Sequence, residues 1–133
     1  MTQPPAEHAE RGAMSAAVSS AVVRLLSEHT GHGPTKARTH INDELITVVL
    51  QDTLTKGERT LAGSGQGELV LATRSAYQST LRAALVATVE EISGRRVRAF
   101  LSANSIDPDY AVESFVLEPL DGSAGRRAPA AED

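Results

Sequence analysis

The sequence contains no cysteine and no tryptophan, and only two phenylalanines and two tyrosines among 133 residues. Without cysteine there is no disulfide framework, thiolate-bound zinc, iron–sulfur cluster or thiol nucleophile. The shortage of aromatics removes the stacking platforms that hold single-stranded nucleic acid. Positive charge is also scarce: 13 Lys and Arg stand against 17 Asp and Glu, a formal net charge of −4. That is the wrong sign for a dedicated nucleic-acid binder. No apolar run approaches the roughly 18–20 residues a membrane-spanning helix needs. The first residues, Met-Thr-Gln-Pro-Pro-Ala-Glu, carry neither the basic nor the apolar region of a signal peptide. The expectation is a soluble, cytoplasmic protein with no nucleic-acid partner and no direct membrane insertion.

What remains is one modest domain between two polar ends. Residues 1–13 hold Pro4 and Pro5 and lack apolar periodicity, so they read as a disordered tail. Residues 119–133 are rich in small and polar types and read the same way. The segment 14–118 is long enough for a single core. Val18, Val22, Leu25, Leu26 and His29 recur with a helical period, which predicts a helix from Ser15 to His29. Ser15 is placed to cap it, Gly31 to take the left-handed position after it, and Pro34 to stop it.

A β-hairpin is expected next, from Thr35–Ile41 and Glu44–Gln51 about a two-residue turn at Asn42-Asp43. Leu45 and Val49 share one face of the second strand; Ile46, Val48 and Leu50 share the other. Apolar residues on both faces predict a strand covered on both sides. Thr55-Lys-Gly-Glu58 has the spacing of a capping box, which predicts a short helix over Thr53–Leu61. A long helix follows over Glu68–Ser93, closed by Gly94, with Tyr77, Leu81, Leu85, Val89 and Ile92 as its apolar stripe. Arg96–Ser102 and Tyr110–Leu117 predict a second hairpin, with Val97, Ala99 and Leu101 on one face of its first strand. Two hairpins forming an antiparallel four-stranded sheet, packed against an N-terminal helix and a long central helix, make an α+β fold.

Several strings are familiar when taken in order. They are Gly33-Pro-Thr-Lys-Ala-Arg-Thr-His-Ile-Asn-Asp43, Leu45-Ile-Thr-Val-Val-Leu50 and Asp52-Thr-Leu-Thr-Lys-Gly-Glu-Arg59. Arg98-Ala-Phe-Leu-Ser102, Ile106-Asp-Pro-Asp109 and Phe115-Val-Leu-Glu118 complete the set. Across residues 15–118 the chain resembles the MpsC family, named for a component of a sodium-translocating membrane-potential-generating system. The resemblance implies a small accessory protein associated with membrane ion or inorganic-carbon uptake. It carries over no catalytic residue.

The residues that invite a chemical reading are few. Lys36, Arg38 and His40 alternate along a strand, so all three side chains share a face. Such a face suits an anion or an acidic partner; it also reads simply as the solvated side of an edge strand. Arg95, Arg96 and Arg98 form a second basic group, so Lys36, Arg38, His40, Arg96 and Arg98 are the candidate anion- or partner-binding residues. Lys56 precedes Gly57, the reverse of a phosphate-binding loop, and Glu68 stands where a dinucleotide fingerprint needs its third glycine. His29, His32 and His40 belong to a helix end, a turn and a strand, so no metal site is expected. Asp107-Pro-Asp109 reads as a turn.

With no nucleophile–base pair and no metal constellation, no enzymatic activity and no cofactor are expected. The leading expectation is a non-enzymatic accessory module linked to a membrane ion-uptake system. It would stand in the cytoplasm, peripheral to the inner face of the membrane through a protein partner. The alternative is a small-anion or nucleotide-binding regulatory domain using the basic strand face. The long helix, at 1.5 Å per residue roughly 39 Å from end to end, outreaches so small a core. That overhang predicts a homodimer with Leu71 and Tyr77 in its interface.

Overall fold

A computed structural model describes residues 5–120 of the chain. Seven elements follow one another: α1 (Pro5–Thr30), β1 (Lys36–Ile41), β2 (Leu45–Gln51), α2 (Lys56–Gly63), α3 (Gly67–Ser93), β3 (Val97–Ser105) and β4 (Tyr110–Leu117). The strands form one antiparallel sheet in the order β1-β2-β4-β3. Each hairpin contributes one central and one edge strand, and the hairpins join through β2 and β4. This is the expected α+β architecture.

α1 begins at Pro5, ten residues before Ser15, so residues 5–13 are helical rather than a disordered tail. Apolar periodicity is missing there, but Ala, Glu and Arg are strong helix formers and proline is favoured in the first turn. Residues 1–4 and 121–133, the remainder of the expected tails, lie outside the described residues. At the other end of α1, Gly31 takes the left-handed conformation with φ 76° and donates its N–H to the Ser27 carbonyl at 2.9 Å. α2 starts on the expected capping box. Thr55 Oγ1 accepts from the Glu58 N–H at 3.1 Å, and Glu58 Oε1 accepts from the Thr55 N–H at 2.8 Å. α3 ends where expected, with Gly94 at φ 71°.

The helices pack on one face of the sheet only. Val18, Val22 and Leu26 of α1 meet Leu81, Leu85 and Val89 of α3 over the inward row of Ile46, Val48, Leu50, Ala111, Phe115 and Leu117. Val49 and Leu45 point to the opposite face, where among the described residues no element covers them; Leu45 is 36% exposed. The expectation that β2 is covered on both sides is thereby corrected: its second apolar face is open in the single chain.

Two registers also differ from expectation. The turn sits at Asp43-Glu44, with the Asn42 N–H donating to the Leu45 carbonyl at 2.8 Å. Arg38 therefore opposes Val49, and His40 opposes Thr47. A two-residue slip preserves the face of every side chain, so Lys36, Arg38 and His40 stay together. In β3 a bulge between Val97 and Ala99 breaks the alternation. Val97 turns inward against the core, and Ala99 and Leu101 turn to the open face, so the three do not share a side.

Candidate functional site

The open face is built from alternate residues of all four strands. One transverse row runs Arg38–Val49–Val112–Ala103. Parallel rows add Lys36, His40, Leu45, Thr47, Gln51, Tyr110, Ser114, Val116, Ala99 and Leu101. No carboxylate stands on this face within the strands, although the whole chain carries a net charge of −4. Lys36, Arg38 and His40 with Val49, Gln51 and Tyr110 line a depression of about 290 Å³. The Gln51 amide donates to the Tyr110 hydroxyl, which fixes one wall. Cationic donors, an amide and a phenol around a shallow recess can hold a carboxylate, phosphate or bicarbonate.

The sheet order separates the two basic groups. β1 and β3 are opposite edges, three strand spacings or about 14 Å apart. Arg96 lies beside Glu90, Nε to Oε2 at 3.8 Å, on the surface. Arg98 joins Arg82 and Phe100 in a separate groove between α3 and β3. Lys36, Arg38 and His40 thus form one site, and Arg96 and Arg98 do not belong to it. Strand order decides this, and neither hairpin alone reveals it.

A second polar cluster escaped the sequence reading. Along α3 the buried positions are Val70, Arg74, Gln78, Leu81, Leu85 and Val89, and Tyr77 is exposed. Gln78 Nε2 donates to Glu113 Oε2 and to Asn104 Oδ1, each at 2.9 Å, and Asn104 Nδ2 donates back to Gln78 Oε1 at 2.8 Å. The Ser102 hydroxyl donates to Glu113 Oε1. Glu113 is fully buried. Burial pushes its carboxyl above the ordinary value of 4.5, while the bonds from Ser102 and Gln78 and the nearby Arg74 charge act the other way.

Arg74 Nη1 meets the Thr53 carbonyl at 3.1 Å and Glu58 Oε1 at 3.5 Å. Asp109 accepts from the Thr53 N–H and hydroxyl, both at 2.9 Å, and from the Leu54 N–H at 3.1 Å. These bonds tie α2, α3 and the ends of β2, β3 and β4 together. Asp109 therefore does more than turn the chain. A signal was present in β4, where Glu113 shares its alternation with Ala111, Phe115 and Leu117. A carboxylate in an inward row demands buried partners.

The histidines have separate settings. His29 Nδ1 lies 2.9 Å from the Leu25 carbonyl, His32 Nε2 lies 2.8 Å from the Asp52 carbonyl, and His40 stands on the open face. Among the described residues, no three His, Asp or Glu side chains are grouped to hold a metal. Leu71 and Tyr77 are both exposed, at 38% and 37%. Six residues of helix separate them by about 120°, so they sit on different flanks of α3.

Four antiparallel strands layered under helices on one face, with a basic-edged open face on the other, define a small two-layer α+β domain. The chain belongs to the MpsC family, described as the Na+-translocating membrane potential-generating system (MpsC), whose family model matches residues 10–119. No curated protein and no solved structure matches it. Among the described residues no helix is long and apolar enough to cross a membrane.

Proposed function

We propose that this protein is a non-catalytic accessory subunit of a sodium-translocating, membrane-potential-generating system. It acts as a homodimer at the cytoplasmic side of the membrane, and its open sheet face docks an acidic segment of a partner in that system. One observation carries the reading. Among the described residues, an acidic chain places no carboxylate at the strand positions of one face, gives that face an apolar centre at Val49, Val112 and Val116, and edges it with Lys36, Arg38 and His40. Such a surface attracts and orients an acidic partner and leaves apolar area for it to cover. Family membership supplies the system, and the absence of a spanning helix among the described residues fits attachment through a partner.

The recess itself favours a second reading, a regulator that binds a small anion such as bicarbonate, phosphate or a nucleotide phosphate. Both readings place Arg38 at the centre. Arg38→Ala is expected to weaken binding at least tenfold, about 1.4 kcal/mol. The melting temperature should barely move, because an exposed charge adds little stability. Affinity capture from the membrane fraction, with wild type and variant side by side, tests the first reading. Calorimetric titration with bicarbonate, phosphate and nucleotides tests the second. Equal binding by the variant in both experiments would leave the basic strip as a solvated edge.

A further inference from the structure

The two edges of the sheet are furnished differently. β1 presents Lys36, Arg38 and His40, and basic side chains on an edge oppose the addition of a further strand. β3 has no such protection: from Ala99 to Ser105 it reads Ala-Phe-Leu-Ser-Ala-Asn-Ser, without charge, glycine or proline. Among the described residues only β4 pairs with β3, so one row of its backbone donors and acceptors has no strand partner. Leu101, 56% exposed, stands on this strand. An uncharged free edge of this kind is a template for strand addition.

Charge around the edge selects what fits it. Arg98 sits at the start of β3, with Arg82 above it on α3; the Arg82 guanidinium lies 5.9 Å from the centre of the Phe100 ring. Asp107, exposed, lies just past the other end of the strand. A second copy added in parallel would bring arginine beside arginine. Added antiparallel across a two-fold axis, the same copy brings Arg98 beside Asp107 of the second copy, and does so at both ends. The flank of α3 above this edge also carries Leu71, three helical turns before Arg82, so its exposed side chain borders the same seam.

We infer that β3 pairs antiparallel with β3 of a second copy, about an axis near Ser102 and Ala103, to make one continuous eight-stranded sheet. The seam is isologous, as a two-fold dimer requires. It leaves both open faces and both basic strips clear, at the far ends of the extended sheet. The inference rests on the homodimer of the reading above and is independent of the partner that the open face docks.

The test uses the full chain. Wild type should scatter light as a particle near twice 14.0 kDa. Ala103→Lys, which places a charge on the exposed edge, should raise the dimer dissociation constant at least tenfold with circular dichroism unchanged. Because the chain has no cysteine, Ala103→Cys offers a single thiol, and a short bis-maleimide should link it to the second copy. Lys36→Cys, on the other edge, should remain unlinked under the same conditions. Arg98→Glu should weaken the dimer several-fold, and Arg98→Glu combined with Asp107→Arg should restore it. A wild type that stays monomeric at high micromolar concentration overturns the homodimer and this seam together. A stable dimer that does not link through Ala103→Cys, or that Ala103→Lys leaves intact, overturns the seam alone.

Discussion

Glu113 is the residue on which the interior depends most visibly. It occupies the inward row of β4, where a leucine would pack without any need for hydrogen bonds, and it receives donors from Gln78 and Ser102 instead. Burial raises its pKa above 4.5, so the folded chain retains a proton that the unfolded chain has already released. The stability this provides is full below pH 4.5 and is lost as pH rises through the raised folded value. Between the two values the loss amounts to about 1.4 kcal/mol for each pH unit. Glu113→Gln keeps the shape, offers an acceptor to Gln78 and removes the titration. The difference in unfolding free energy between variant and wild type, from urea titrations at rising pH from about 4.5, should move in favour of the variant and level off once pH passes the raised folded value. Parallel curves would mean that burial leaves the Glu113 carboxyl unshifted from its value in the unfolded chain.

Elements were legible where a local rule decides them. Gly94 closes α3 because the chain there needs φ 71°, and the Thr55–Glu58 reciprocal bonds start α2 from four consecutive residues. β4 has the expected bounds because alternation and its flanking turn agree. What was not legible depends on distant contacts. The inward placement of Arg74 and Gln78 is set by Thr53, Glu58, Asn104 and Glu113, which the linear pattern of α3 does not announce. The separation of Arg98 from Arg38 follows from β2 pairing with β4, a choice neither hairpin contains. The site was therefore half legible: alternation alone placed Lys36, Arg38 and His40 on one face, while Gln51 and Tyr110 joined it through the sheet. Two glycines isolate the local rules. An added Cβ meets nothing within 4 Å at Gly57 or at Gly94, so neither substitution crowds a neighbour. Gly94→Ala should cost about 1 kcal/mol for forcing a side chain into the left-handed region. Gly57→Ala, in the first turn of α2, should stabilise by about 0.5 kcal/mol through lower entropy of the unfolded chain. Thermal unfolding of the two variants should therefore shift in opposite directions, and shifts of the same sign would contradict this account of both helix ends.

At the scale of the whole molecule, charge and apolar surface are sorted onto different parts of one sheet. Among the described residues, no strand position on the open face carries a carboxylate, basic side chains gather along β1, and the β3 edge between Ala99 and Ser105 is neutral. Two associations built on these parts should answer differently to ionic strength. Capture of an acidic partner on the β1 side depends on attraction across water, which is screened as the Debye length falls from about 10 Å at 0.1 M salt to about 3 Å at 1 M. A seam along β3 depends on backbone hydrogen bonds and on burial of Leu101, with only terminal ion pairs exposed to screening. Raising salt from about 0.05 M to about 0.5 M should reduce retention of the membrane-fraction partner, or of a poly-glutamate probe, more than tenfold. Over the same range the light-scattering mass should remain near twice 14.0 kDa. Retention that resists salt would argue against docking through Lys36, Arg38 and His40. A dimer that dissociates along the same curve would show that its seam is held by charge, and so cannot be the neutral edge of β3.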